Sequence, residues 1–105
     1  MSSPPPSFQE TLGAYRQELD VLDEQIVALL AKRFAVTQKV GELNAMHAVE
    51  PVDNAREAAQ LERLTELSRQ YGLPDATTRA IFETVIGLVR DNHRDIARAR
   101  EHGVS

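Results

Sequence analysis

The first half of the chain carries an apolar heptad pattern that a single basic residue interrupts. Two columns of apolar residues recur at heptad spacing: Leu12, Leu19, Ile26 and Val40 in the first, and Tyr15, Leu22, Leu29, Val36 and Leu43 in the second. Arg33 fills the remaining position of the first column. This period predicts a long helix with an apolar seam. Because an unpaired buried cation is strongly destabilising, either a carboxylate pairs with Arg33 or an anionic ligand fills a cavity beside it.

Capping signals divide the chain into three helices. Ser7-Phe8-Gln9-Glu10 fits a capping box, and the apolar pattern then continues without proline to about His47. A helix of that length is on the order of 60 Å long, far longer than a small domain is wide. A helix with an apolar seam of that length needs a partner, so we expect a homodimer.

The second and third helices are shorter. Residues 48–52 form a connector, after which Asp53 or Asn54 caps a helix that ends at Tyr71-Gly72. Pro74-Asp75 begins a third helix, whose apolar spacing continues to roughly Gly103. No segment has a strand pattern. We therefore predict an all-α, three-helix protomer, with residues 1–7 as a disordered lead-in and residues 8–105 as one helical domain.

Composition excludes several classes of function. The chain has 105 residues, no cysteine and a formal net charge of -4. Thiolate metal sites and cysteine nucleophiles are excluded, and a nucleic-acid surface is disfavoured because it needs clustered excess basic residues. The three histidines have no helical pairing with one another, so we expect neither a metal nor a cofactor. The start resembles no signal peptide and no apolar run reaches membrane-spanning length, which favours the cytoplasm.

Several polar residues share the faces of the predicted helices. Asn44 follows Arg33 by eleven positions, so at about 100° per residue both point the same way. Arg16 precedes Arg33 by seventeen positions and is displaced by about 25 Å along the helix, so it can join a site at Arg33 only from another chain. No residue in this set forms a familiar motif of nucleophilic or metal catalysis.

The later helices add further polar candidates. Asp53, Arg56 and Glu57 give two acceptors and a donor fork at the start of the second helix, and His93 lies on the apolar stripe of the third. Each has an ordinary explanation when taken alone. The first-turn charges fit capping and ion pairing, His93 fits a core histidine with a hydrogen-bond partner, and Arg33 fits a buried salt bridge.

Taken together, the spaced residues resemble the all-helical chorismate mutase family from Tyr15 to His93. The resemblance is carried by Arg16-x-x-Leu19-x-x-Leu22-Asp23-x-x-Ile26-x-x-Leu29-Leu30-x-x-Arg33, Val40-Gly41, Asp53-x-x-Arg56-Glu57 and Leu61-Glu62-Arg63-Leu64. It implies an intertwined homodimer in which the long helix crosses between subunits. It also implies a small dicarboxylate substrate, gripped by Arg33, Arg56 and the Arg16 of the other chain.

The resemblance also implies roles for the remaining candidates. Glu57 and Asp53 address the group on ring carbon 4. Three positions depart from the family pattern: Asn44 replaces a lysine that donates to the breaking ether oxygen, His93 replaces a glutamine with the same task, and Val89 replaces a serine near a carboxylate. We interpret His93 as a donor to the ether oxygen in place of the lost ammonium.

The Asn44 substitution bears on the substrate. A site for 4-amino-4-deoxychorismate, which carries an ammonium on carbon 4, should hold one cation fewer than a site for chorismate. Asn44 therefore favours an isomerase that converts 4-amino-4-deoxychorismate to 4-amino-4-deoxyprephenate. Three alternatives remain: an ordinary chorismate mutase, an isochorismate pyruvate lyase and a non-catalytic helical dimerisation module.

Overall fold

Three α-helices and no strands make up residues 4–103, the part of the chain that the computed structural model describes. The helices are α1, Phe8–Met46; α2, Asn54–Gln70; and α3, Asp75–Gly103. The all-α prediction and the long first helix are confirmed. Of the predicted lead-in, residues 1–3 lie outside the described residues, and residues 4–7 precede α1 without helical structure.

Local hydrogen bonds fix both ends of α1. The Ser7 hydroxyl oxygen accepts the backbone N–H of Glu10 at 3.1 Å, as the capping box predicted. At the other end, Ala48 has a left-handed backbone with φ 53°, and the Val49 N–H donates to the Asn44 carbonyl at 2.8 Å. This pattern closes a helix but usually uses glycine at the left-handed position. The sequence offers alanine there, so the helix ends without the usual signal.

The ends of α2 follow the sequence signals closely. Asp53 caps the helix, because its Oδ1 accepts the backbone N–H of Arg56 at 3.0 Å. Gly72 adopts φ 72° after the last turn, and the Leu73 N–H donates to the Ser68 carbonyl at 2.9 Å. The predicted cap and the predicted glycine stop are therefore both confirmed.

The helices fall into two compact units, divided between Ala35 and Val36. The first unit contains the N-terminal part of α1. Most of its apolar seam residues are more than half exposed, although Leu12 is half-buried; the exposed ones are Tyr15, Leu19, Leu22, Ile26 and Leu29. An exposed apolar row of this extent is typical of a surface that binds another protein. The prediction of one domain over residues 8–105 stays a prediction.

The second unit contains the end of α1 together with α2 and α3. The two later helices pack against each other, and Val85 and Ile86 of α3 are buried. Buried residues with hydroxyl groups lie in the same core. On α2, the Thr65 hydroxyl donates to the Leu61 backbone carbonyl at 2.7 Å, and the Ser68 hydroxyl donates to the Thr65 backbone carbonyl. The core of this unit is therefore small and partly polar.

An ion pair spans the turn between α2 and α3. Arg69 Nη2 donates to Asp75 Oδ2 at 2.8 Å, and Arg69 Nε lies 3.2 Å from the same oxygen. The hydrogen bond from Arg69 lowers the pKa of the Asp75 carboxyl below its ordinary value, and the pKa of Arg69 rises correspondingly.

Among residues 4–103 no helix is both long and apolar enough to cross a membrane.

Candidate active site

The start of α2 is tied to α3 by an ion pair. Arg90 of α3 donates through Nε to Glu57 Oε2 at 3.3 Å and through Nη2 to Glu57 Oε1. Both carboxylate oxygens are therefore held by one guanidinium. The side chains are 35% and 20% exposed for Arg90 and Glu57, so the pair is partly shielded from water. The hydrogen bond from Glu57 raises the pKa of Arg90.

His93 joins α3 to the end of α1. Its ring Nε2 lies 2.7 Å from the backbone carbonyl oxygen of Thr37. A carbonyl oxygen can only accept, so Nε2 carries the proton and donates it. The imidazole is buried, as expected for a core histidine with a partner. This bond uses the Nε2 proton, so His93 can donate to a ligand only through Nδ1 and only when both nitrogens are protonated.

A glycine makes room for this histidine. A Cβ atom added at Gly41 would lie 2.7 Å from His93 Cδ2 and 2.8 Å from Ile96 Cδ1. Next to this point, Asn92 Nδ2 donates to Gln38 Oε1 at 2.8 Å. The end of α1 and α3 thus approach each other closely enough to bond, because position 41 carries no side chain.

The other candidates in the second unit occupy three helix segments. Asn44 is half-buried in the last turn of α1, where its carbonyl takes part in the helix stop. Asp53 and Arg56 are exposed at the start of α2, and the cap uses one oxygen of Asp53. Val89 is half-buried on α3. Asp53 therefore serves as the helix cap that its position indicates, and Glu57 forms its ion pair with Arg90 of α3.

The remaining two candidates belong to the first unit. Arg16 is exposed on α1, and Arg33 is half-buried on the same helix. Both lie on the long helix that carries the exposed apolar seam. Arg16 is thus accessible to other molecules.

The sequence profile of the family described as chorismate mutase type II matches residues 15–94. The chain belongs to the chorismate mutase type II family. The T-protein of Haemophilus influenzae is similar to the chain, with 36% identity over 56 residues, or 53% of this chain and 15% of that protein. The chain thus spans a small part of the curated relative that it matches.

All eight candidate residues lie within the segment that matches the chorismate mutase type II family. Arg90 also lies within it, although the sequence did not predict it as a site residue. One signal was available. Arg90 follows Ile86 by four positions, so this arginine stands on the same side of α3 as a buried residue. Its carboxylate partner is 33 residues away, and no local spacing identifies it.

Proposed function

We propose that this chain is an isomerase that catalyses the pericyclic rearrangement of a chorismate-type enolpyruvyl ether. The observation that carries the proposal is the family match over residues 15–94, which includes every arginine and carboxylate of the predicted site. The reaction needs no nucleophile and no proton transfer. It needs a compact conformer to be held and donors placed where negative charge grows on the ether oxygen, which a set of cations and amides supplies.

The proposed carboxylate grip consists of Arg33, Arg56 and the Arg16 of a second subunit. Arginine suits this task because its planar fork donates two parallel hydrogen bonds to one carboxylate and stays charged at physiological pH. The exposed apolar seam of α1 supports the homodimer that such sharing requires, since burying it removes a large apolar area from water. The homodimer and the cytoplasmic location are parts of this proposal.

The proposed donor to the ether oxygen is the side-chain amide of Asn44. The sequence suggested His93 for this role as well. The bond from His93 Nε2 to the Thr37 carbonyl favours a different role, in which the imidazole holds α3 against the end of α1. A neutral amide stabilises a growing negative charge less than an ammonium does, so we expect a modest turnover rate.

Two substrates each have an observation in their favour. Chorismate is favoured by the ion pair of Glu57 with Arg90, because the carboxylate expected to face ring carbon 4 already has a counter-charge. The neutral hydroxyl of chorismate needs no negative counter-charge from the protein. The amino analogue is favoured by Asn44, which removes a cation that would repel its ammonium. We place chorismate first because the ion pair acts at the carbon 4 end itself.

Binding and turnover assays test the proposal. A bicyclic dicarboxylate that mimics the transition state should raise the melting temperature, since a ligand that binds only the folded state stabilises it. Turnover of chorismate, its 4-amino analogue and isochorismate is then measured separately. Pyruvate release from isochorismate alone would identify a lyase. The absence of both thermal shift and turnover would support a helical dimerisation module and reject the proposal.

Asn44→Lys tests the substrate assignment within the mutase proposal. The added cation should move relative kcat/KM toward chorismate by roughly tenfold to a hundredfold, the effect of one like charge at a partly screened distance. Competition of both substrates in one reaction gives the ratio directly. If Asn44→Lys leaves the kcat/KM ratio of the two substrates unchanged, then Asn44 does not determine the choice of substrate.

A further inference from the structure

We infer that Arg90 is a specificity residue that makes the site favour an uncharged group on ring carbon 4 of the substrate. The inference rests on the proposed function and deepens it. It starts from the contact between Arg90 and Glu57, in which one guanidinium engages both oxygens of one carboxylate. The negative charge of this carboxylate is therefore already balanced by Arg90 before any substrate binds.

The position of Arg90 on α3 places it among the predicted site residues. It directly follows Val89 and precedes His93 by three residues, and both of those are predicted site positions. Its partner Glu57 directly follows Arg56 in the first turn of α2. The ion pair therefore connects the two helix segments that carry most of the predicted site residues of the second unit.

The partial burial of the Arg90–Glu57 pair strengthens its electrostatic effect on a bound substrate. Its side chains are about one third and one fifth exposed, so water screens Glu57 less than it would on an open surface. The bond with Glu57 raises the pKa of Arg90, as expected for a cation stabilised by its neighbour. A substrate ammonium approaching Glu57 would meet a carboxylate that is neutralised and a guanidinium that repels it.

The number of cations at the predicted site supports the same reading. The resemblance implies that Asn44 stands in place of a lysine, which removes one positive charge from the ether end of the site. Arg90 contributes one positive charge at Glu57. The ether end of the site thus has one cation fewer than the family pattern, while Glu57 at the carbon 4 end has a guanidinium partner. An uncharged hydroxyl on carbon 4 can donate to Glu57 or accept from Arg90, whereas an ammonium can only donate.

Matched charge removal on α3 tests this role. We compare Arg90→Gln with Arg94→Gln, since Arg94 is exposed one turn further along the same helix. Both variants lose one positive charge, but only the first releases Glu57. Arg90→Gln should raise kcat/KM for 4-amino-4-deoxychorismate relative to chorismate by roughly tenfold to a hundredfold, while Arg94→Gln should leave the ratio within about twofold of wild type.

A double variant separates specificity from a purely structural role. If Arg90 acts partly through the charge of Glu57, then Arg90→Gln should change the substrate ratio by a larger factor in the wild-type background than in a Glu57→Gln background. A residue that merely holds the helices together would lower kcat/KM for both substrates equally. Circular dichroism and melting temperature check that each variant is folded, and Arg90→Met, which keeps the aliphatic stem, replaces Arg90→Gln if the latter unfolds.

The outcomes distinguish this inference from the proposed function. Wild-type protein that converts neither substrate refutes the proposed function. Wild-type protein that converts at least one substrate, with the same ratio for the Arg90 variant and the Arg94 control, refutes the role of Arg90 and leaves the proposed function intact. A ratio that rises on loss of Arg90 but not of Arg94, and that rises by a larger factor when Glu57 is present, supports the inference.

Discussion

Replacement of Gly41 by alanine should destabilise the second unit, although alanine is the better helix former. The new Cβ would lie 2.7 Å from His93 Cδ2 and 2.8 Å from Ile96 Cδ1. The isoleucine methyl lies at the end of a flexible side chain and can move. The imidazole cannot move freely, because it is buried and its Nε2 donates to the Thr37 carbonyl at 2.7 Å.

The net effect combines two opposing contributions. Overpacking a well-filled position costs about 1–3 kcal/mol, and the rigid neighbour places Gly41→Ala near the upper end of that range. Alanine in place of glycine stabilises a helix interior by about 1 kcal/mol. We therefore expect Gly41→Ala to lower the free energy of unfolding by about 2 kcal/mol.

Gly87→Ala provides the matched control on α3. A Cβ at Gly87 would meet no heavy atom within 4 Å beyond its chain neighbours and the adjacent backbone of α3, so only the helix-propensity gain of about 1 kcal/mol should remain. Urea unfolding followed by circular dichroism, at one fixed protein concentration, measures both variants. The two should therefore differ by about 3 kcal/mol. If Gly41→Ala proves as stable as Gly87→Ala, the close approach of the two helices at His93 is wrong.

Three further predictions address the helix stop, an ion pair and the subunit arrangement. Ala48→Gly should raise the free energy of unfolding by about 1 kcal/mol in urea titrations, because φ 53° strains alanine and not glycine. The pKa of Asp75 is lowered in the folded chain, so its pairing with Arg69 stabilises the fold above the ordinary carboxyl pKa and is lost as pH falls through the lowered value. Melting curves from neutral to strongly acidic pH should accordingly show a smaller acid-dependent loss for Asp75→Asn, and equal losses would contradict the pairing. Arg16→Ala and Arg33→Ala should each reduce turnover by roughly a hundredfold or more. Mixing the two variant proteins should restore activity at one of the two sites in each heterodimer. If activity does not recover after verified subunit exchange, the shared site is rejected.

The sequence by itself determined where the helices lie and how most of them end. Ser7 with Glu10, Asp53 with Arg56, and Gly72 after α2 each act through hydrogen bonds within about one turn of helix. Hydrogen-bond partners only three or four residues apart come together in any helix, so residue spacing alone identifies them. The left-handed Ala48 shows the limit of this reasoning, because no residue preference marks alanine as a helix stop.

The tertiary structure decided which side chains that are distant in sequence come into contact. Those contacts affect which groups of the predicted site remain available to a substrate. Arg90 and Glu57 are separated by 33 residues, and His93 and Thr37 by 56. The resemblance to the chorismate mutase family implied that Glu57 faces the group on ring carbon 4 and that His93 donates to the ether oxygen. Folding gives each of these side chains a protein partner that the sequence did not indicate. The physical reason is that helix geometry fixes neighbours three or four residues apart, whereas the packing of one helix on another selects the partners of buried charges and ring nitrogens.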